Sequence, residues 1–82
     1  MRVKFTQSAR KHKIGRAHVL AALENADDGE IVPAPSGDKQ TRRKWIAVDN
    51  RGVELEIMGV ETLEYLLIIH VMPTALVRKG KS

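Results

Sequence analysis

Apolar residues recur along this chain at two spacings, and the change from one to the other separates a helical first part from a stranded second part. On a wheel of about 100° per residue, Val19, Leu20, Leu23 and Ala26 share one stripe of the segment 16–26, and His18, Ala21 and Asn25 fall opposite. The pattern predicts an amphipathic helix with His18 facing solvent. Upstream, Thr6 is a competent N-cap for Gln7-Ser8-Ala9-Arg10-Lys11-His12-Lys13, whose cations gather in the last turn and complement the helix dipole, so a two-turn helix is expected there too. Ile14-Gly15 separates the two helices, since glycine serves both to end one and to start the next. The second helix stops in the turn formers Asn25-Ala26-Asp27-Asp28-Gly29.

From residue 43 the period falls to two. Lys44-Trp45-Ile46-Ala47-Val48 and Val53-Glu54-Leu55-Glu56-Ile57 flank Asp49-Asn50-Arg51-Gly52, the best hairpin signal in the chain. Pairing Val48 with Val53 sets Ile46 opposite Leu55 and Lys44 opposite Ile57. This register gathers Ile46, Val48, Val53, Leu55 and Ile57 on one buried face and leaves Glu54 and Glu56 beside Trp45 and Ala47 on a wetter one. Glu30-Ile31-Val32, ahead of Pro33 and Pro35, predicts a short edge strand, where proline does no harm, and 35–40 reads as a loop. Beyond a second loop at 61–64, Tyr65-Leu66-Leu67-Ile68-Ile69-His70-Val71-Met72 is apolar on both faces, as befits a central covered strand, and Pro73 ends it. The expected fold is α+β, with two N-terminal helices packed on one face of a three- to four-stranded antiparallel sheet.

A length of 82 residues allows one core and therefore a single domain over 1–82, with the basic tail 78–82 as a flexible extension. With 43% hydrophobic and 29% charged residues the chain has enough apolar surface to fold. It has no cysteine, no apolar run near the roughly 20 residues of a membrane span, and no apolar block after Met1-Arg2-Val3-Lys4-Phe5. A reducing, cytoplasmic setting with no membrane partner is expected.

The net charge of +4 is unevenly spread. Residues 1–18 hold Arg2, Lys4, Arg10, Lys11, Lys13 and Arg16 with no acid; a second block is Lys39, Arg42, Arg43 and Lys44; the tail adds Arg78, Lys79 and Lys81. Segregated cations attract a polyanion, and they can also dock an acidic protein partner. The three histidines lie on different predicted elements without a second ligand at metal spacing, so neither metal nor cofactor is expected. Chemistry then falls to cations and imidazole. Cleavage of RNA through the 2′-hydroxyl needs a base, an acid and a stabiliser of the phosphorane charge; histidine suits the proton transfers and arginine the charge. His12 follows Arg10 and Lys11, and its alternative is an ordinary exposed histidine. His70 is either a hydrogen-bonded core histidine near Leu55 or a neighbour of the Glu54/Glu56 row, depending on one residue of register.

The run Phe5-Thr6-Gln7-Ser8-Ala9-Arg10-Lys11-His12-Lys13-Ile14, an amphipathic helix, a hairpin with a charged loop and a late apolar strand ending His70-Val71-Met72-Pro73 follow one another in an order that resembles the BrnT-like toxins. These belong to the RelE-like ribonuclease group of bacterial type II toxin–antitoxin systems. The resemblance implies a RelE-like fold and a metal-independent endoribonuclease that inhibits translation. It also implies a cognate antitoxin as partner, with association as a homodimer or a toxin–antitoxin hetero-oligomer left open. Carried onto this chain, the matching positions are Arg10, Lys11 and His12 and, later, His70 with Arg78 just beyond; Arg10, His12 and His70 are then the expected catalytic residues, and the segregated cations Lys11, Lys13, Arg16, Arg42, Arg43, Lys44 and Arg78 the expected RNA-binding ones. Many relatives have a histidine where this chain has Ser8, and 29–40 matches nothing in the group. A non-catalytic nucleic-acid-binding module is the other class these cations fit, its affinity falling steeply with salt.

Overall fold

The computed structural model describes residues 2–33 and 41–79, the side chains of 77–79 excepted. Its strands are β1 (Arg2–Phe5), β2 (Glu30–Val32), β3 (Arg42–Val48), β4 (Glu54–Glu61) and β5 (Tyr65–Pro73), joined in one five-stranded sheet of order β1-β5-β4-β3-β2. Helix α1 (Arg16–Asn25) packs across β3 and β4, and a short helix α2 (Thr74–Lys79) follows β5. The expected loop at 35–40 with Lys39, and the tail from residue 80 with Lys81, lie outside the described residues, as do the side chains of Arg78 and Lys79. Among the described residues no helix is long and apolar enough to cross a membrane.

This architecture corrects the expected pair of N-terminal helices on an antiparallel sheet. The sheet is mixed, because β1 runs parallel to β5 with Val3 opposite Leu66 and Phe5 opposite Ile68, while the other three junctions are antiparallel. Val3 and Phe5 pack against the core, and Arg2 and Lys4 alternate with them outside. The segment 7–13 does not form a two-turn helix either; only a 3₁₀ turn at Ser8–Arg10 appears. Thr6 is held to the sheet, its N–H donating to the Ile68 carbonyl at 3.0 Å and its hydroxyl to the same oxygen at 3.4 Å. That hydroxyl also accepts the Ala9 N–H at 3.2 Å, the bond expected of an N-cap. The next bonds span three residues, Arg10 N–H to the Gln7 carbonyl and Lys13 N–H to the Arg10 carbonyl, so the turn stays tight. Ala9 is drawn into the core and Lys13 takes a φ of 56°, which turns the chain away before an α-helix can extend.

The central hairpin is offset by one residue from the expected register. Trp45 pairs with Ile57, Ala47 with Leu55 and Val48 with Glu54. The cause lies in the loop. Gly52 N–H donates to the Asp49 carbonyl at 3.2 Å and Asp49 N–H to the Val53 carbonyl at 2.9 Å, with Gly52 at a φ of 83°. This is a three-residue hairpin loop ending on a left-handed glycine, so Asp49 pairs with Val53 and every later pair shifts. Asp49 fixes the geometry: its buried carboxylate accepts the N–H groups of Arg51 at 2.7 Å and Val53 at 3.1 Å, and the Arg51 guanidinium at 2.7 and 3.0 Å. Burial pushes that carboxyl up, but the Arg51 side chain and the two N–H donors outweigh it and hold the group below its usual 3.8. A slip of one exchanges the faces of a strand. Trp45 and Ala47 therefore join Leu55 and Ile57 in the core, and Ile46 and Val48 are exposed.

Val19 and Ala22 of α1 complete that core with Leu66, Ile68 and Val71 of β5. His18, expected in solvent, is half-buried, its Nδ1 lying 2.7 Å from Asn50 Oδ1. Asn25 Nδ2 donates to the Val48 carbonyl at 3.0 Å. Residues 18, 22 and 25 thus form the edge by which the helix grips the β3–β4 hairpin, an arc that the apolar stripe alone does not reveal.

Candidate functional site

Strand parity assigns the side chains of the sheet to two faces. Trp45, Ala47, Leu55, Ile57, Leu66 and Ile68 share the α1 side. On the far side, register rows cross the sheet: Lys4–Leu67–Val60–Arg42–Val32, then His70–Met58–Lys44–Glu30, then Met72–Glu56–Ile46. Arg2 and its partner Tyr65 precede the first row. The far face is therefore cationic at one end, with Arg2, Lys4 and Arg42, and acidic at the other, with Glu54 and Glu56; the row between holds His70 and Lys44, with Glu30 opposite Lys44 at the edge. His70 thus stands between the two ends.

Its position depends on a bulge. Met58 faces His70 and Gly59 faces Ile68, which leaves Ile69 unpaired and shifts the register at that point. Without the extra residue, His70 would share the parity of Leu66 and Ile68 and turn into the core. With it, Val71 is buried and His70 reaches the far face. Gly59 makes room: a Cβ there would stand 3.0 Å from Leu66 Cδ1 and 3.3 Å from Ile68 Cδ1.

His70 Nε2 lies 3.1 Å from Glu56 Oε1, both side chains half-buried. A carboxylate at this distance orients the imidazole, leaving its other ring nitrogen to meet a substrate. Next to the pair, Glu54 Oε1 accepts the Thr74 hydroxyl at 2.8 Å. At the cationic end, Lys4 Nζ lies 4.4 Å from the centroid of the Tyr65 ring.

The remaining expected site residues are distributed as follows. Arg10 is exposed on the 3₁₀ turn, Lys11 and Lys13 are exposed just after it, and His12 is half-buried. Arg16 opens α1 with its guanidinium 5.3 Å from the Phe5 ring centroid. The turn packs on β5 and enters the core through Ala9, so Arg10 and His12 belong to a different element and surface from the His70–Glu56 pair. The run Arg42-Arg43-Lys44 is split by the strand period: Arg42 and Lys44 point to the far face, whereas Arg43 donates to Glu61 at 2.6 Å and to the Asp28 carbonyl at 2.9 Å. Arg78 lies in α2, its side chain outside the described residues. Of the two neighbours the sequence left open for His70, the structure has the Glu54/Glu56 row; what the sequence did not reveal is that Arg2 and Lys4 share this surface. The alternation Arg2-Val3-Lys4-Phe5 held that signal. Among the described residues no group of histidine, aspartate and glutamate side chains is arranged to hold a metal ion. The chain matches no family model, no curated protein and no solved structure.

Proposed function

We propose that the chain is a toxin-type endoribonuclease that works without a metal on the far face of its sheet. The observation that carries this reading is the His70–Glu56 pair, set in a face that bears Lys44 in the same row and Arg2, Lys4 and Arg42 toward its other end. His70 takes the proton of a 2′-hydroxyl, the freed oxygen bonds to the neighbouring phosphorus, and the bond to the 5′-oxygen breaks as that oxygen takes a proton from water. Glu56 holds the ring and balances its gained charge. Lys44 shares the row of His70 and meets the charge of the phosphorane, and the other far-face cations bind the backbone on either side. Arg10, Lys11, Lys13 and Arg16, on the turn against β5 and the start of α1, extend the positive field for the rest of the RNA. A separately encoded antitoxin, acidic where it covers these cations, is the partner this reading implies.

The test is incubation of the purified chain with labelled RNA in the presence of a chelator. Wild type is expected to cut, His70→Ala to lose roughly 100- to 10,000-fold in rate, and Glu56→Gln to lose less, with RNA binding kept in both. RNA that is bound and never cut overturns the catalytic reading in favour of the binding module.

A further inference from the structure

We propose that Tyr65, flanked by Lys4 and Arg2, is a nucleobase-stacking subsite for single-stranded RNA, several nucleotides away from the bond broken at His70. The inference rests on the ribonuclease reading and names the form of RNA that its face accepts.

Three observations converge on it. Tyr65 is half-buried on the far face, so its ring is fixed by the sheet. Its neighbours are cations: Lys4 Nζ lies 4.4 Å from the ring centroid, and Arg2 is its register partner on β1. The surface leading from Tyr65 to His70 passes Leu67 and Met58, half-buried apolar side chains that suit base faces rather than phosphates. Bases present their faces to a protein surface only when they are unpaired, which selects single strands over duplexes. Stacking on an aromatic ring is also worth more than an exposed contact between a cation and that ring. An arriving base therefore displaces Lys4 from the ring and leaves its ammonium beside the adjoining phosphate.

The distance sets the reach of the substrate. Five positions of β5, one of them in the bulge, separate Tyr65 from His70, a span of roughly 13 to 16 Å along a strand. A dinucleotide held at His70 does not reach the ring. An oligonucleotide of about eight residues, well within the usual size of a single-strand site, does.

The experiment measures binding in a His70→Ala background, where nothing is cut, using fluorescently labelled single-stranded RNA of both lengths. Tyr65→Leu is expected to weaken the longer RNA about tenfold and to leave the dinucleotide unchanged, whereas Tyr65→Phe, which keeps the ring, retains both affinities. Circular dichroism of each variant checks that the fold is intact. Unchanged binding of the longer RNA by Tyr65→Leu overturns the subsite, as does an equal loss in Tyr65→Phe, and wild-type cleavage in either case leaves the ribonuclease reading standing. Absence of both binding and cleavage overturns the two together.

Discussion

Gly29 and Gly52 share a left-handed backbone, with φ of 76° and 83°, and differ in what surrounds them. A Cβ on Gly52 would meet nothing within 4 Å, but one on Gly29 would stand 2.7 Å from Trp45 Cδ1 and 2.8 Å from the Lys44 carbonyl oxygen. Gly52→Ala is therefore expected to cost about 1 kcal/mol, the backbone penalty alone. Gly29→Ala adds the displacement of a buried tryptophan, for a total of about 3 kcal/mol. Urea unfolding of the two variants checks the difference, and equal losses would show that Trp45 is not pinned under Gly29. Both glycines are legible in the sequence as turn residues. What they do to their neighbours is not, since contact with Trp45 at one site and a one-residue change of register at the other are properties of the folded chain. The same holds for His70, whose facing is decided by an unpaired Ile69 that looks in the sequence like one more apolar residue of a strand.

Among the elements, the observed pairing of β3 with β4 makes a prediction opposite to the one the simple alternation suggests. Trp45→Ala is expected to cost about 3–5 kcal/mol as a core deletion, and Ile46→Thr, on the exposed face, to stay within about 0.5 kcal/mol. Thermal or urea unfolding decides it, and a large loss at Ile46 would restore the alternative register. The strands of the second half were readable because alternation there runs over many residues. The buried face of β4, with Leu55 and Ile57, was readable as well, but that of β3 was not, because Asp49 and Gly52 build a loop one residue different from the one the turn signal suggested. β1 shows the converse limit: Arg2-Val3-Lys4-Phe5 alternates correctly, yet four residues carry too little pattern to announce a strand, and none of it points to a parallel partner at Tyr65–Ile68. The helix expected at 7–13 failed for a related reason, since the tie between Thr6 and Ile68 overrides a local capping signal.

For the molecule as a whole, a net charge of +4 says little until the sheet sorts its cations. If RNA lies on the far face, the salt dependence of binding should read that sorting directly. Each phosphate contact to a single strand contributes about 0.7 to the slope of log affinity against log salt. Lys4→Ala and Lys44→Ala should each lower the slope by roughly that amount, and Arg43→Ala should leave it unchanged, because its guanidinium is held by Glu61 and Asp28. Equal effects at Arg43 and Lys44 would mean that the RNA does not distinguish the two faces. The parallel pair of β1 and β5 has a further consequence for the order in which the molecule assembles. Thr6 and Ile68 are 62 residues apart along the chain, whereas β3, β4 and β5 follow one another through short connections. Local pairing closes small loops and is fast, and distant pairing waits until the intervening chain has collapsed. The antiparallel meander should accordingly form early and β1 dock late. Until it does, the rim of β5 from Tyr65 to Ile68 offers unpaired backbone groups to any other extended chain, and Arg2 and Lys4 are missing from the face they later complete. Arrival of the first strand thus moves the open edge from β5 to a four-residue strand carrying Arg2 and Lys4, a poorer template for another chain, and finishes the cationic end.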